Sequence, residues 1–229
     1  MEKYSLKNQI EKIKRNENSV FLNQLDANYV IKTLKKENIE FNIFKPYEDA
    51  EKQIIYQDKL NITLFEIKCR EKITHREILG ALFSNNLNEY VYGDIIIDND
   101  KYYIIILDKI KKDFLYNFNK IGNNLITLEE TNLEKVKDYK PSFKEITLQV
   151  SSLRIDNIIA KLIPTSRSIS NEMINLKKVV LNYQILKNKN YILKENDIFS
   201  IRRVGKFKLK QLLSKTKNNK YIIKIDKYS

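Results

Sequence analysis

The order of apolar and polar positions along the chain predicts a succession of short helices and strands. Leu6, Ile10 and Ile13 recur at spacings of four and three, which predicts an amphipathic helix within residues 1–18. A second helix is expected after Asp26 as its N-cap, with Val30, Ile31 and Leu34 facing inward and its end at Asn38. Residues 39–44 alternate and predict a strand that Pro46 ends, and residues 52–57 supply another extended run. Residues 64–69 read as a strand. Thr74 and Glu77 then form a T-x-x-E capping box that opens a helix through Asn85, the hydroxyl accepting a helical N–H while the carboxylate reaches back. Gly93 and Asp94 precede a strand over 95–98, Asn99 and Asp100 make a turn, and residues 102–107 return as the next strand. A helix over 111–121, with Phe114, Leu115 and Phe118 inward, and a strand over 125–128 complete a β-α-β-β-α-β order, that of a ferredoxin-like domain.

Residues 137–142 read as a linker. Beyond them Ile155, Ile158, Ile159, Leu162 and Ile163 form the stripe of one helix, which Pro164 stops by disfavouring helical geometry at Ile163. Ser166 is a plausible N-cap for a second helix starting at Arg167. Ile169, Met173 and Leu176 are expected on its inner face, leaving Arg167, Asn171 and Asn175 on an exposed polar ridge. A strand holds residues 179–181, and a second over 197–204 runs into Arg202, Arg203, Gly205, Lys206, Phe207 and Lys208. A charged turn over 215–220 and a terminal strand over 221–225 follow.

Composition changes this picture in one respect. Residues 151–229 contain 18 Lys and Arg against 5 Asp and Glu, whereas residues 1–150 contain 24 of each, so the whole net charge of +13 lies in the last third. Coding bias would not segregate charge so sharply, and a polyanionic partner for that third is the better reading. A hydrophobic content of 42% over 229 residues suffices for packed cores in two or three small domains. The fold class is α+β, divided into an N-terminal α/β region (1–60), a ferredoxin-like, RRM-like domain (61–141) and a basic domain (142–229) with its core at 151–210. One cysteine, Cys69, excludes an internal disulfide, and neither a secretory h-region nor a spanning segment is seen. A soluble cytoplasmic protein is expected.

The pieces Arg154-Ile155-Asp156, Ser166-Arg167-Ser168, Val180-Leu181-Asn182, Glu195-Asn196-Asp197-Ile198 and Arg202 followed by Gly205-Lys206-Phe207 resemble, in order and spacing, the S4 (alpha-L) RNA-binding domain. The resemblance implies two helices on a small curved sheet that binds structured RNA. Arg154, Ser166, Arg167, Ser168, Asn171, Lys177, Lys178, Asn182, Arg202, Arg203, Lys206 and Lys208 are the implied contacts. The family usually has Gly where Lys177 stands, and a non-glycine residue held in left-handed geometry there costs about 1 kcal/mol. Arg154 can equally pair with Asp156, and Ser168, Asn171, Lys206 and Lys208 can be solvated surface positions. Pro46-Tyr47-Glu48-Asp49-Ala50-Glu51 with the following Ile54-Ile55-Tyr56-Gln57-Asp58, the run from His75 to Leu82, and Gly93-Asp94-Ile95 are similar to the YlmH family of bacterial S4-domain proteins. That resemblance implies a monomeric, non-catalytic factor on large ribosomal subunits holding a stalled peptidyl-tRNA, with ribosomal RNA and tRNA as its partners.

Catalysis finds little support. One histidine, His75, at a helix start suggests capping or packing, and one Cys with one His cannot make the usual zinc ligand set. Four scattered glycines build no phosphate cradle, so neither metal nor cofactor is expected. On the middle domain Tyr102 and Tyr103 alternate, so at most one should point outward and offer a stacking surface, and Lys72 and Arg76 are candidates for backbone contact. The alternatives are an accessory to an RNA-modifying enzyme, since S4 modules accompany such enzymes, and a cell-division-linked interaction protein using its basic end on an anionic membrane or acidic partner.

Overall fold

The computed structural model describes residues 5–17, 19–216 and 218–228. It forms two compact units, Met1–Lys140 and Pro141–Ser229. Parts of two expected elements, residues 1–4 and 18 of the first helix and Lys217 of the charged turn, lie outside the described residues.

In the first unit α1 (Leu6–Lys14), β1 (Val20–Asn23), α2 (Gln24–Lys36), β2 (Asn42–Phe44) and β3 (Lys52–Tyr56) come first. Strands β1, β3 and β2 make a three-stranded antiparallel sheet. The N-cap of α2 is Asn23, not Asp26: Asn23 Oδ1 accepts from the Asp26 N–H at 3.0 Å, and Asp26 sits in the first turn, where a carboxylate meets the positive end of the helix. Strand β1 was not foreseen, and β2 is shorter than the expected 39–44. Next come β4 (Ile62–Cys69), α3 (His75–Ser84), β5 (Tyr92–Asp98), β6 (Lys101–Leu107), a 3-10 turn, α4 (Lys111–Asn117), β7 (Lys120–Ile121), β8 (Asn124–Thr131) and α5 (Glu134–Lys137). The Thr74–Glu77 capping box is present on α3. The sheet runs β5-β6-β4-β8-β7, antiparallel throughout, an order compatible with the ferredoxin-like plan.

One expectation about this part of the chain is corrected. The helix over 111–121 ends at Asn117, because Lys120 and Ile121 pair with β8 around a tight turn in which Gly122 has φ +59°, and Leu115 is exposed while Phe114 and Phe118 are buried. Tyr102 and Tyr103 are both buried, since the sheet is covered on both faces. Tyr102, Ile104 and Ile106 pack with Ile78, Leu82 and Phe114 on the side of α3 and α4. Tyr103, Ile105 and Leu107 pack with Phe21, Tyr47, Ile54 and Val136 on the other.

The second unit comprises β9 (Phe143–Val150), α6 (Ile155–Leu162), α7 (Arg167–Asn175), β10 (Val179–Leu181), β11 (Gln184–Ile185), β12 (Ile198–Ile201), β13 (Gly205–Lys215) and β14 (Tyr221–Tyr228). Its six strands run β11-β10-β12-β13-β14-β9, all antiparallel, and β9, an edge strand paired with β14 over its whole length, was not foreseen. Ile155, Ile158, Ile159 and Ile174 of the helices pack with Phe199, Ile201, Phe207, Leu209, Ile223 and Ile225 of the sheet. The inner stripe of α7 is Ser170 and Ile174, with Met173 partly buried, while Ile169 and Leu176 are 45% and 54% exposed, against expectation. Ser170 tolerates full burial because its hydroxyl donates to the Ser166 carbonyl at 3.2 Å. Among the described residues no helix is long and apolar enough to cross a membrane.

Candidate nucleic-acid interface

The sequence places Arg154 at the N-cap of α6 and Arg167 at the first position of α7, and the fold turns both toward one carboxylate. Asp156 is fully buried. Its Oδ1 accepts from Arg154 Nε at 3.1 Å, and its Oδ2 accepts from Arg154 Nη2 and from Arg167 Nη2, both at 2.9 Å. Burial alone would raise the Asp156 pKa, but the two guanidiniums outweigh it and hold the carboxyl below its ordinary range. The Arg154 and Arg167 side chains remain 33% and 53% exposed, and each keeps N–H donors beyond those spent on Asp156. An open depression of about 470 Å³, lined by Asn157, Ala160, Lys161, Pro164, Thr165 and Arg167, adjoins them. Two cations are thus fixed in orientation before any ligand arrives.

Ser166 caps α7 by accepting from the Ile169 N–H at 3.2 Å, so its hydroxyl positions the helix. Ser168 is exposed, and Asn171, half-buried, has an Oδ1 without a hydrogen-bond partner. At the far end, about 13 Å along the helix, the chain closes in a Schellman motif. The Lys177 N–H donates to the Ile174 carbonyl at 2.9 Å and the Lys178 N–H to the Met173 carbonyl at 3.0 Å, with Lys177 at φ +55°. The left-handed geometry is therefore retained without glycine. The Arg202 N–H donates to the Lys178 carbonyl at 2.9 Å, which brings the β12–β13 turn beside this end of α7. Lys177, Lys178, Arg202 and Arg203 are all exposed.

The structure does not bring all the expected residues together. Asn182, at φ +46°, serves its own turn: Nδ2 donates to Asp197 at 2.8 Å and Oδ1 accepts from the Ile198 N–H at 2.9 Å. Lys206 and Lys208 alternate with Phe207 and Leu209, which pack toward the helices, so the two lysines emerge on the opposite face of the sheet and leave the α7 surface. Of the contacts that the resemblance implies, Asn182, Lys206 and Lys208 therefore stand apart from the α7 surface.

In the first unit, Lys72 is tied to Asp100 at 2.8 Å in an exposed pair. A cluster that spacing alone did not reveal joins two of the quoted motifs. Asp94, on β5, accepts from the Tyr47 hydroxyl at 2.6 Å and from the Glu51 N–H at 2.8 Å. Lys52 donates to the carbonyls of Glu89 and Tyr92 at 2.8 and 3.0 Å, and burial lowers its pKa to about 8. Gly93 is required there, since a Cβ would lie 2.8 Å from the Phe21 ring. This cluster fastens the N-terminal strands onto the central sheet and presents no surface for a ligand.

Residues 153–199 match the S4 domain family model. A helix pair on an antiparallel sheet, with guanidiniums at the start of each helix held on one buried carboxylate, is the frame of an S4-domain RNA-binding protein. Residues 56–135 match the model described as "Putative RNA-binding domain in YlmH". The chain is similar to "Ribosome-associated protein quality control protein P2" of Bacillus subtilis, 24% identical over 174 residues that cover 75% of this chain and 68% of that protein. It is also similar to the solved structure of "Cell division protein ylmH from Streptococcus pneumoniae", with a TM-score of 0.44 and 18% identity over 60% of this chain and 96% of that one. Two family models, that YlmH RNA-binding domain and the S4 domain, thus match residues 56–135 and 153–199 of the chain.

Proposed function

We propose that the protein is a non-catalytic factor that grips ribosomal RNA or tRNA phosphates with the α7 surface, on large ribosomal subunits that hold a stalled peptidyl-tRNA. The observation that carries this reading is the buried Asp156 carboxylate holding Arg154 and Arg167 at one end of α7, with Lys177, Lys178 and Arg202 exposed at the other. Phosphate binding needs several cations on one surface, and pre-oriented guanidiniums lose less freedom on binding than mobile ones. The name of the Bacillus subtilis relative supports the ribosome and its quality control as the setting. In this reading the protein is cytoplasmic and monomeric, uses no cofactor, and works through three parts, 1–60, 61–141 and 142–229.

Co-sedimentation of the tagged protein with ribosomal subunits from stressed cells tests the proposal. Arg167→Ala is the informative variant, because the bidentate Arg154–Asp156 pair survives it and the carboxylate is not left uncompensated. Association is expected to weaken about tenfold with the fold intact. Co-sedimentation equal to wild type would remove the α7 surface from the account.

A further inference from the structure

The central sheet of the first unit is covered on both faces, yet the domain built on it matches an RNA-binding family model, so a nucleic-acid ligand of that domain has to meet its helices and loops. A cleft of about 590 Å³ lies there, between α3 and the chain that runs from the end of α4 into the β7 turn. Glu77, Gly80, Ser84 and Asn85 line one wall at the i, i+3, i+7, i+8 spacing of a single helix face, and Asn117 and Lys120 line the other. Nothing lies within 4 Å of where a Cβ at Gly80 would stand, so the cleft is open beside the middle of α3. Several donors on these walls are spent within their own helices. Ser84 Oγ and Asn85 Nδ2 donate to the Ala81 carbonyl at 2.9 and 2.8 Å, and Asn117 Nδ2 donates to the Asp113 carbonyl at 3.0 Å. A carbonyl can only accept, which fixes both amides and leaves Asn85 Oδ1 and Asn117 Oδ1 as unused acceptors. Glu77 spends Oε2 on the Thr74 N–H and hydroxyl and keeps Oε1. Both α3 and α4 end at the cleft, and neither has a basic residue in its last turn to offset its carbonyl end. Lys120 is the one cation among the lining residues, and it is exposed and makes no ion pair among the described residues.

We propose that this cleft binds one unpaired RNA nucleotide whose base carries an exocyclic amine, with the base edge on the acceptors of Glu77, Asn85 and Asn117 and the phosphate on Lys120. A volume of this order suits a nucleotide-sized ligand. Walls rich in unused acceptors are satisfied by a donor edge, and adenine, cytosine and guanine each present an amine on the edge that base pairing would otherwise occupy, which is why the nucleotide has to be unpaired. Uracil presents one N–H between two carbonyl oxygens, and those oxygens would meet acceptors with no proton to share. A guanidinium from a protein partner would also match the acceptors, but it would bring a like charge to Lys120, whereas the phosphate of a nucleotide complements that ammonium. The cleft belongs to the first unit and its binding does not rest on the α7 surface of the second.

The test is fluorescence anisotropy of the full chain with labelled oligocytidine and oligouridine of equal length, since cytosine and uracil differ in the amine and not in ring size. Oligocytidine is expected to bind at least about fivefold tighter. Gly80→Leu sends a side chain into the cleft from a position with room for it, and leucine suits a helix better than glycine. Its melting temperature should therefore not fall, while the cytidine preference drops below about twofold. Asn117→Ala, at an exposed helix end, is expected to cut the preference about threefold by removing one acceptor, and Lys120→Ala to weaken both oligomers with the preference retained. Arg167→Ala should lower both affinities in proportion and keep the preference, so failure of the α7 reading and failure of this one give different results. Equal affinity of the wild type for the two oligomers, or a preference that survives Gly80→Leu, would overturn the proposal. Loss of ribosome association in Gly80→Leu with the cytidine preference unchanged would do so as well, by pointing to a basic protein segment in the cleft.

Discussion

On strand β6 of the first unit Tyr102 and Tyr103 follow one another and both are buried, one on each face. On strand β13 of the second unit Phe207 is buried while its neighbours Lys206 and Lys208 come out on the far side. Both sheets are antiparallel and both carry helices on one face. What separates them is the second face: in the first unit it is covered by Phe21, Tyr47, Ile54 and Val136, and in the second no element packs over it among the described residues of that unit. The sheet of the domain that matches an RNA-binding family model is therefore closed to base stacking on both faces.

That contrast can be broken most forcefully at Tyr103. Replacing it by Ala should cost about 3–5 kcal/mol in urea unfolding, the range for emptying a large aromatic from a packed core. A cost below about 1 kcal/mol would mean that the second face of the central sheet is not closed. A smaller effect is expected at Asp156. Asp156→Asn should destabilise the protein by about 2 kcal/mol at neutral pH, because the charge that both guanidiniums pair with is lost and one of the two acceptor oxygens becomes an NH2 donor facing them. The Asp156 pKa is depressed in the folded protein, so its contribution is fully present above the ordinary carboxylate value near pH 4 and is lost as pH falls through the lower folded value. Unfolding curves of wild type and variant should accordingly converge in acid, and a gap independent of pH would contradict the ion-pair account. The smallest effect, and a gain, is expected at Lys177, where φ is +55°. Lys177→Gly should raise the melting temperature by a few degrees, equivalent to about 1 kcal/mol, while RNA binding loses one cation.

Much of this was legible in the sequence, and the misses share causes. The capping box at Thr74, the N-cap at Ser166 and the stop at Pro164 are local, and they are found where spacing places them. The C-terminal ends of α1, α2 and α3 are marked by Asn16, Asn38 and Asn86, all at positive φ, so asparagine does in this glycine-poor chain what glycine commonly does. The double burial of β6 was written in its unbroken apolar run from Tyr102 to Leu107, which alternation rules do not describe. The outward turn of Lys206 and Lys208 followed from strict alternation with Phe207 and Leu209, and β9 carried the same period in Ile146, Leu148 and Val150. What no local pattern supplies is a meeting across long separation: Asp94 with Tyr47 and Glu51, or Arg167 with a carboxylate already claimed by Arg154. The inner stripe of α7 was misassigned for a related reason, since a small residue, Ser170, takes the buried position and displaces Ile169 outward.

The central claim, that the α7 surface binds RNA phosphates, is tested most directly by the salt dependence of ribosomal RNA binding by wild type and Arg167→Ala. If about five phosphates are neutralised, log K should fall against log salt with a slope near −3.5 to −4.5, and removing Arg167 should make it shallower by roughly one. A slope near zero, or one that Arg167→Ala leaves unchanged, would contradict the account.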